Sequence, residues 1–396
     1  MSASKRLRLY FIRAREPLVA YVFGLAAILG LLFFRLGSLV PGMSSSEAAN
    51  LTQSQTIHQL INNPLNLPYK LVDFALVSWH HGSVFALRSV SVVFALCMIY
   101  LFYFCLHRWY AVRTAVLGTA LFASSSWLLH YARLAQPDIL YTSLMAALAY
   151  GVWLRQTKRN SLVIVVGGIL AAFLIYIPGL VWLVILGGWW QRKALLKHYK
   201  HHTLSGLVVI ATTTALLVPL IYGLALHPRL IRGLFGVQTF GIPKPLAIVQ
   251  HIWNIPFQLF IRANYNPTVW LGRLPLLDIF AVVMLVLGAY AYYFLRQLDR
   301  ARVLLGIIVV SLVLLGLHGG VNPLILMPFL YILVTAGIAL LLQQWFTVFP
   351  LNPLARLLGT LLISITVILA VFYHVNHYFI AWPNNPATKQ AFDIRQ

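Results

Sequence analysis

Seven carboxylates serve the whole 396-residue chain: Glu16, Glu47, Asp73, Asp138, Asp278, Asp299 and Asp393, set against 29 lysines and arginines. Any reaction that needs a carboxylate base must draw on this short set. Glu47 closes the stretch Ser44-Ser45-Ser46-Glu47, just after Pro41-Gly42. Ser44-x-x-Glu47 has the form of a capping box, and Glu47 is equally a candidate base. Glu47, Asn50, Ser54 and His58 recur at helical spacing over 46–61, the polar stripe of an amphipathic helix anchored by Leu51, Ile57, Leu60 and Ile61. A second concentration is His130-Tyr131-Ala132-Arg133-Leu134-Ala135-Gln136-Pro137-Asp138. Pro137-Asp138 suits a helix start. Arg133 is either paired with Asp138 or free to hold a phosphate. Arg88 lies about one turn inside an apolar run, where it either snorkels to lipid phosphate or binds a phosphate-bearing ligand. Trp79-His80-His81 reads as an interfacial aromatic and histidine belt, because adjacent histidines on a helix diverge too far to share one metal.

The elements that must position these residues are membrane helices. Hydrophobic residues make up 61% of the chain and charged residues 9%, against roughly 25% charged in soluble domains. Apolar runs long enough to cross a bilayer predict about eleven spans: 18–36, 83–106, 114–129, 138–154, 161–176, 180–190, 204–226, 275–295, 303–317, 323–346 and 357–372. Ile177-Pro178-Gly179 breaks the run 161–190. The expected fold is all-α: one polytopic bundle over 1–396, with an interfacial helix in the first outer loop.

Charge orients the bundle. With the N-terminus inside, the inner segments hold 18 Lys/Arg in 60 residues and the outer ones 9 in 134, about a fourfold density ratio. The expected place is the cytoplasmic membrane, N-terminus inside and C-terminus outside. The net charge of +22 is therefore topological and lipid-facing, and nucleic acid is not an expected partner. The long outer segments are 37–82 and 227–274, with a short tail 373–396. The second carries Arg229, Arg232, Lys244, Arg262 and Arg273 among Trp253, Tyr265 and Trp270, with no acid. Such a surface suits anionic headgroups or a phosphate-linked donor.

The order of these features resembles the GT-C superfamily of polytopic glycosyltransferases. The nearest branches are the bacterial ones related to protein O-mannosyltransferases and to the aminoarabinose transferases of lipid A. The resemblance rests on Leu87-Arg88-Ser89-Val90-Ser91 and on His130 to Asp138, and covers about residues 18–190. It implies transfer of a sugar from a polyprenyl-phosphate donor to a glycan, lipid or protein acceptor at the outer face, with or without a divalent metal and with no other cofactor. It makes Glu47 the candidate base, Arg88 and Arg133 donor-phosphate ligands oriented by Asp138, and His58, His81 and Tyr131 acceptor or sugar contacts. The family's acid pair reads Ser46-Glu47 here, so serine stands at the usual base position. Two alternatives stand beside a transferase: a catalytically inactive scaffold or lipid-sugar binder, and a transporter or flippase. No acid lies at mid-span to couple a carrier to protons. On the catalytic reading, Glu47→Gln is expected to spare stability.

Overall fold

A computed structural model describes residues 21–79, 82–156, 161–201, 203–237, 245–317 and 321–392. His81 and Asp393 lie outside them. The described residues form helices and turns and no strand. The first helix, α1 (Tyr21–Phe33), leads into three short ones: α2 (Ser45–Thr52), α3 (Ile57–Asn62) and α4 (Leu67–Ser78). Then come α5 (Val84–Trp109), α6 (Val112–Ser124), α7 (Ser126–Ala132), a 3-10 segment (Pro137–Ser143), α8 (Leu144–Gln156), α9 (Ser161–Ile175), α10 (Val181–His201) and α11 (Thr203–Leu226). The second half holds α12 (Leu230–Leu234), α13 (Pro245–Phe260), α14 (Ile279–Phe294), α15 (Asp299–Gly316), α16 (Met327–Val348) and α17 (Pro353–Asn376). A π-helical turn (His377–Ala381), α18 (Trp382–Asn384) and α19 (Pro386–Ala391) close the described chain.

Among the described residues, four helices are long and apolar enough to cross a membrane: Val84–Trp109, Gly206–Leu226, Met327–Val348 and the continuous Pro353–Asn384. The α6–α7 pair makes a fifth if it is one bent span. The shorter apolar helices Tyr21–Phe33, Leu162–Ile175, Val181–Trp190 and Ile279–Phe294 fall on four further predicted spans. The helices pack closely where the sequence supplies glycine. On α14 and α16, Gly288 lies against the Leu333 carbonyl and Gly337 against the Met284 carbonyl, where a side chain has no room.

Two local differences from the sequence expectation matter. The single helix over 46–61 is two helices, because Thr56 starts α3 with its own capping box to Gln59. The span 114–129 is bent by 57° between α6 and α7. The cause is Ser124-Ser125-Ser126, whose hydroxyls compete for backbone partners. Ser125 Oγ donates to the Phe122 carbonyl at 3.0 Å and accepts from the Leu128 N–H at 3.2 Å. The bend turns the His130–Asp138 motif back against the first loop.

Candidate functional site

Glu47 is the hub of the first loop. Ser44 caps α2, and the box is reciprocal: Ser44 N–H donates to Glu47 Oε2 at 2.9 Å, and Glu47 N–H donates to Ser44 Oγ at 3.3 Å. The same carboxylate leaves α2 to meet Arg88 of α5, which donates from Nε to Oε1 at 2.9 Å and from Nη2 to Oε2 at 3.1 Å. Ala135 N–H donates to Oε1 at 2.9 Å. Arg88 gives its remaining donors to the carbonyls of Leu36 at 3.2 Å and Gly42 at 2.8 Å. Glu47 is 0% exposed and Arg88 1%. A two-point guanidinium–carboxylate pair of this kind fixes both distance and orientation.

The clasp holds the backbone of the His130–Asp138 motif at several points. Glu47 and Asn50 lie three residues apart on one face of α2. Glu47 takes the Ala135 N–H, and Asn50 Nδ2 donates to the Ala135 carbonyl at 3.4 Å. Ser91 of α5 donates to the Leu134 carbonyl, and its hydroxyl also meets Tyr69 Oη of α4 at 2.7 Å. Gln136 Nε2 donates to Ser46 Oγ at 2.6 Å. The polar stripe predicted for one helix over 46–61 is broken up: Glu47 and Asn50 lie buried on α2, Ser54 is buried just after it, and His58 is exposed on α3.

Arg133 does not meet Asp138. Its Nη1 donates to the Leu31 carbonyl at 3.0 Å and its Nη2 to the Phe34 carbonyl, so it closes the open C-terminal end of α1. Tyr378 and Phe379 cover its guanidinium, with Cζ 5.1 and 4.5 Å from the ring centres. Asp138 instead accepts from Asn322 Nδ2 at 3.0 Å and is half-buried. The expected Arg133–Asp138 pair and the orienting of Arg133 by Asp138 are thus replaced by separate partners. Half-buried Tyr131 also bonds the Asn322 side chain. His58 bonds Asn62 within α3 at 3.0 Å. The structure brings Glu47, Arg88 and the 133–136 backbone together, and leaves His58 on another surface.

Three features escaped the sequence reading. The segment after α17 folds back over the motif: Trp382 and Phe392 are fully buried, and His130 packs edge-on against Trp382 at 4.7 Å and Tyr378 at 4.9 Å. Trp270, expected on the surface of 227–274, is buried with its ring 5.1 Å from His130. A chain of hydrogen bonds links α14, α17 and α7: Asp278 Oδ2 to His374 Nε2 at 2.6 Å, and His374 Nδ1 to Ser126 Oγ at 3.1 Å. Aromatic spacing in 373–392 was the available signal for the first.

The fourth finding concerns Asp73 of α4. It is buried beside Asn50, whose Nδ2 donates to its Oδ2 at 2.7 Å. The partner oxygens, Asp73 Oδ1 and Asn50 Oδ1, have no hydrogen-bond partner. Burial pushes the Asp73 carboxyl up to about 7, while the amide hydrogen bond opposes it. A proton on Asp73 would complete an acid–amide ring with Asn50 and satisfy both oxygens. Lys70, one turn earlier, is pushed down to about 8 by burial and donates to the Asn63 carbonyl at 3.0 Å.

No protein-family model matches the chain, and no curated protein matches it. Among solved structures, the crystal structure of ArnT from Cupriavidus metallidurans in the apo state superposes with a TM-score of 0.55. That match covers 95% of this chain and 77% of the other, at 12% identity. The fold is ArnT-like. The superposition extends well beyond the two short motifs that carried the sequence resemblance. Within the ArnT-like fold, the clasp around Glu47 joins the loop after α1 to the second of those motifs.

Proposed function

We propose that this chain is a membrane glycosyltransferase that moves a sugar from a polyprenyl-phosphate donor to an acceptor at the outer face of the cytoplasmic membrane. One observation carries the reading: in an ArnT-like fold, the first loop and the His130–Asp138 motif are joined by buried polar side chains rather than by apolar packing alone. Burying a guanidinium and a carboxylate is costly unless geometry repays it. Such investment fits a surface whose shape must be held for chemistry. The finer topology belongs to the same proposal: about eleven spans in one membrane domain, N-terminus inside, with 37–82, 227–274 and 373–396 outside.

The acceptor must lose a proton during attack. Glu47 can take it only if Arg88 lets go. Asp138 is half-buried on the motif that Glu47 holds, and it could take a proton without an ion pair being broken. We assign the base to Asp138 and a positioning role to Glu47 and Arg88. Tyr131 beside it offers a hydroxyl to sugar or acceptor. Arg133, as a donor-phosphate ligand, would have to leave the end of α1. The acceptor class stays open across glycan, lipid and protein.

A second reading, an inactive lipid-sugar binder, is favoured by the sequestration of Glu47 and by serine at position 46. Short-chain polyprenyl-phosphate sugars separate the two. Binding with turnover, reduced at least ~100-fold by Asp138→Asn, supports the transferase. Binding without turnover across acceptors supports the binder. No binding rejects both.

A further inference from the structure

Between α1 and α17 with its π-helical extension lies a cavity of about 560 Å³. Its walls include Ala27, Gly30 and Phe34 on one side and Val375, Phe379 and Ile380 on the other. Of its lining residues Arg35 alone is polar. Phe34 and Ile380 at its rim are exposed, so the groove opens sideways, where a membrane protein meets lipid.

Arg35 is unlike the two buried arginines nearby. It is exposed, and among the described residues its guanidinium has no carboxylate, carbonyl or ring partner. Its backbone has φ 53°, the left-handed region that side-chain-bearing residues avoid. Such a conformation persists where the surroundings over-determine it. Here they do: Arg133 holds the Phe34 carbonyl on one side, and Arg88 holds the Leu36 carbonyl on the other. The turn sends Leu36 into the core, where it is 2% exposed, and leaves Arg35 at the end of the groove. At Gly30 an added Cβ would meet nothing within 4 Å, so the groove floor is open space. The back wall is the Phe379 ring that covers Arg133.

We propose that this groove binds an anionic phospholipid, with its phosphate on Arg35 and one acyl chain along the channel beside Gly30. An unpaired cation at the end of an apolar slot complements a negative headgroup attached to a chain. The remaining chain has the exposed faces of Phe34 and Ile380 to lie against. The ligand would brace α1 against α17 at the level of the Arg133 cage. The inference needs a membrane-embedded chain and not sugar transfer, so it can fail or stand apart from the proposed reaction.

The test uses delipidated full-length protein, with bound lipid counted by native mass spectrometry and thermal stability read in detergent. Phosphatidylglycerol should be retained and should raise the melting temperature more than phosphatidylcholine of the same chains. Arg35→Asn keeps a residue that tolerates left-handed backbone while removing the guanidinium. It should weaken phosphatidylglycerol retention at least about tenfold. Gly30→Phe should fill the slot and lower retention similarly, with the lipid-free melting temperature within a few degrees of wild type. Retention unchanged in both variants overturns the site. Preference for a polyprenyl phosphate over phosphatidylglycerol, lost in both variants, overturns the assignment to phospholipid. Equal retention of phosphatidylcholine overturns the role given to charge.

Discussion

Glu47 and Asp73 sit in the same segment between α1 and α5, both buried to 1% exposure or less, and the protein treats them in opposite ways. Glu47 accepts from a guanidinium, two backbone N–H groups and a serine hydroxyl. Asp73 accepts from one neutral amide and keeps an oxygen with no partner. Burial is the same; the supply of donors is not. Where donors saturate the carboxylate, it can tie distant segments together as the guanidinium's partner. Where they do not, desolvation dominates and the carboxyl is pushed up to about 7. The first arrangement crosslinks α2, α5 and the 133–136 backbone; the second leaves a buried carboxyl short of donors.

The largest effect should come from cutting the clasp. Arg88→Ala strands a buried carboxylate and should destabilise the protein by about 3–5 kcal/mol, seen as a large drop in melting temperature in detergent. Glu47→Gln keeps the shape but leaves Arg88 without a counter-charge, so it too should destabilise. The catalytic reading of Glu47 expects the opposite, a Glu47→Gln variant of nearly unchanged stability. A wild-type melting temperature in either variant would dissolve the contrast with Asp73.

A smaller effect should appear in pH dependence. Asp73 has a folded value near 7 against an ordinary value of 3.8, so the folded state binds the proton more tightly than the unfolded chain. Its contribution is fully present below about pH 4, falls as pH rises through 7, and is flat above. Asp73→Asn mimics the neutral acid and should remove that slope, raising stability at pH 8 relative to wild type by on the order of 2 kcal/mol. Parallel pH profiles for the two proteins would show that Asp73 does not titrate in this range. Smaller still, Ser44→Ala removes one cap and should cost about 0.5–2 kcal/mol. Gln136→Ala loses the bond to Ser46 and should cost about 0.5–1.5 kcal/mol.

Much of the architecture was legible because its signals are local. Apolar length marked the helices, Ile177-Pro178-Gly179 marked the break between α9 and α10, and Ser44-x-x-Glu47 marked a helix start that the structure confirms. The pairing of Glu47 with Arg88 was not legible, since it closes 41 residues of chain and either group could have served a ligand. The partners of Arg133 are backbone carbonyls roughly a hundred positions away, which leave no mark in residue type. The bend at Ser125 had a signal in three consecutive serines, but hydropathy overrode it. Amphipathic α13, inside the segment 227–274, was hidden because its exposed Leu246, Val249 and Trp253 read as loop aromatics and aliphatics rather than as one face.

The central claim is that Glu47 and Arg88 act as one structural unit beneath the site. A double-mutant cycle on melting temperature, using Glu47→Gln, Arg88→Met and both together, tests it most directly. The account predicts that each single variant is strongly destabilised, and that the double is less destabilised than the sum by about 0.5–3 kcal/mol of coupling. Near-wild-type stability in Glu47→Gln with turnover abolished, and no coupling to Arg88, would contradict it and return the role of base to Glu47.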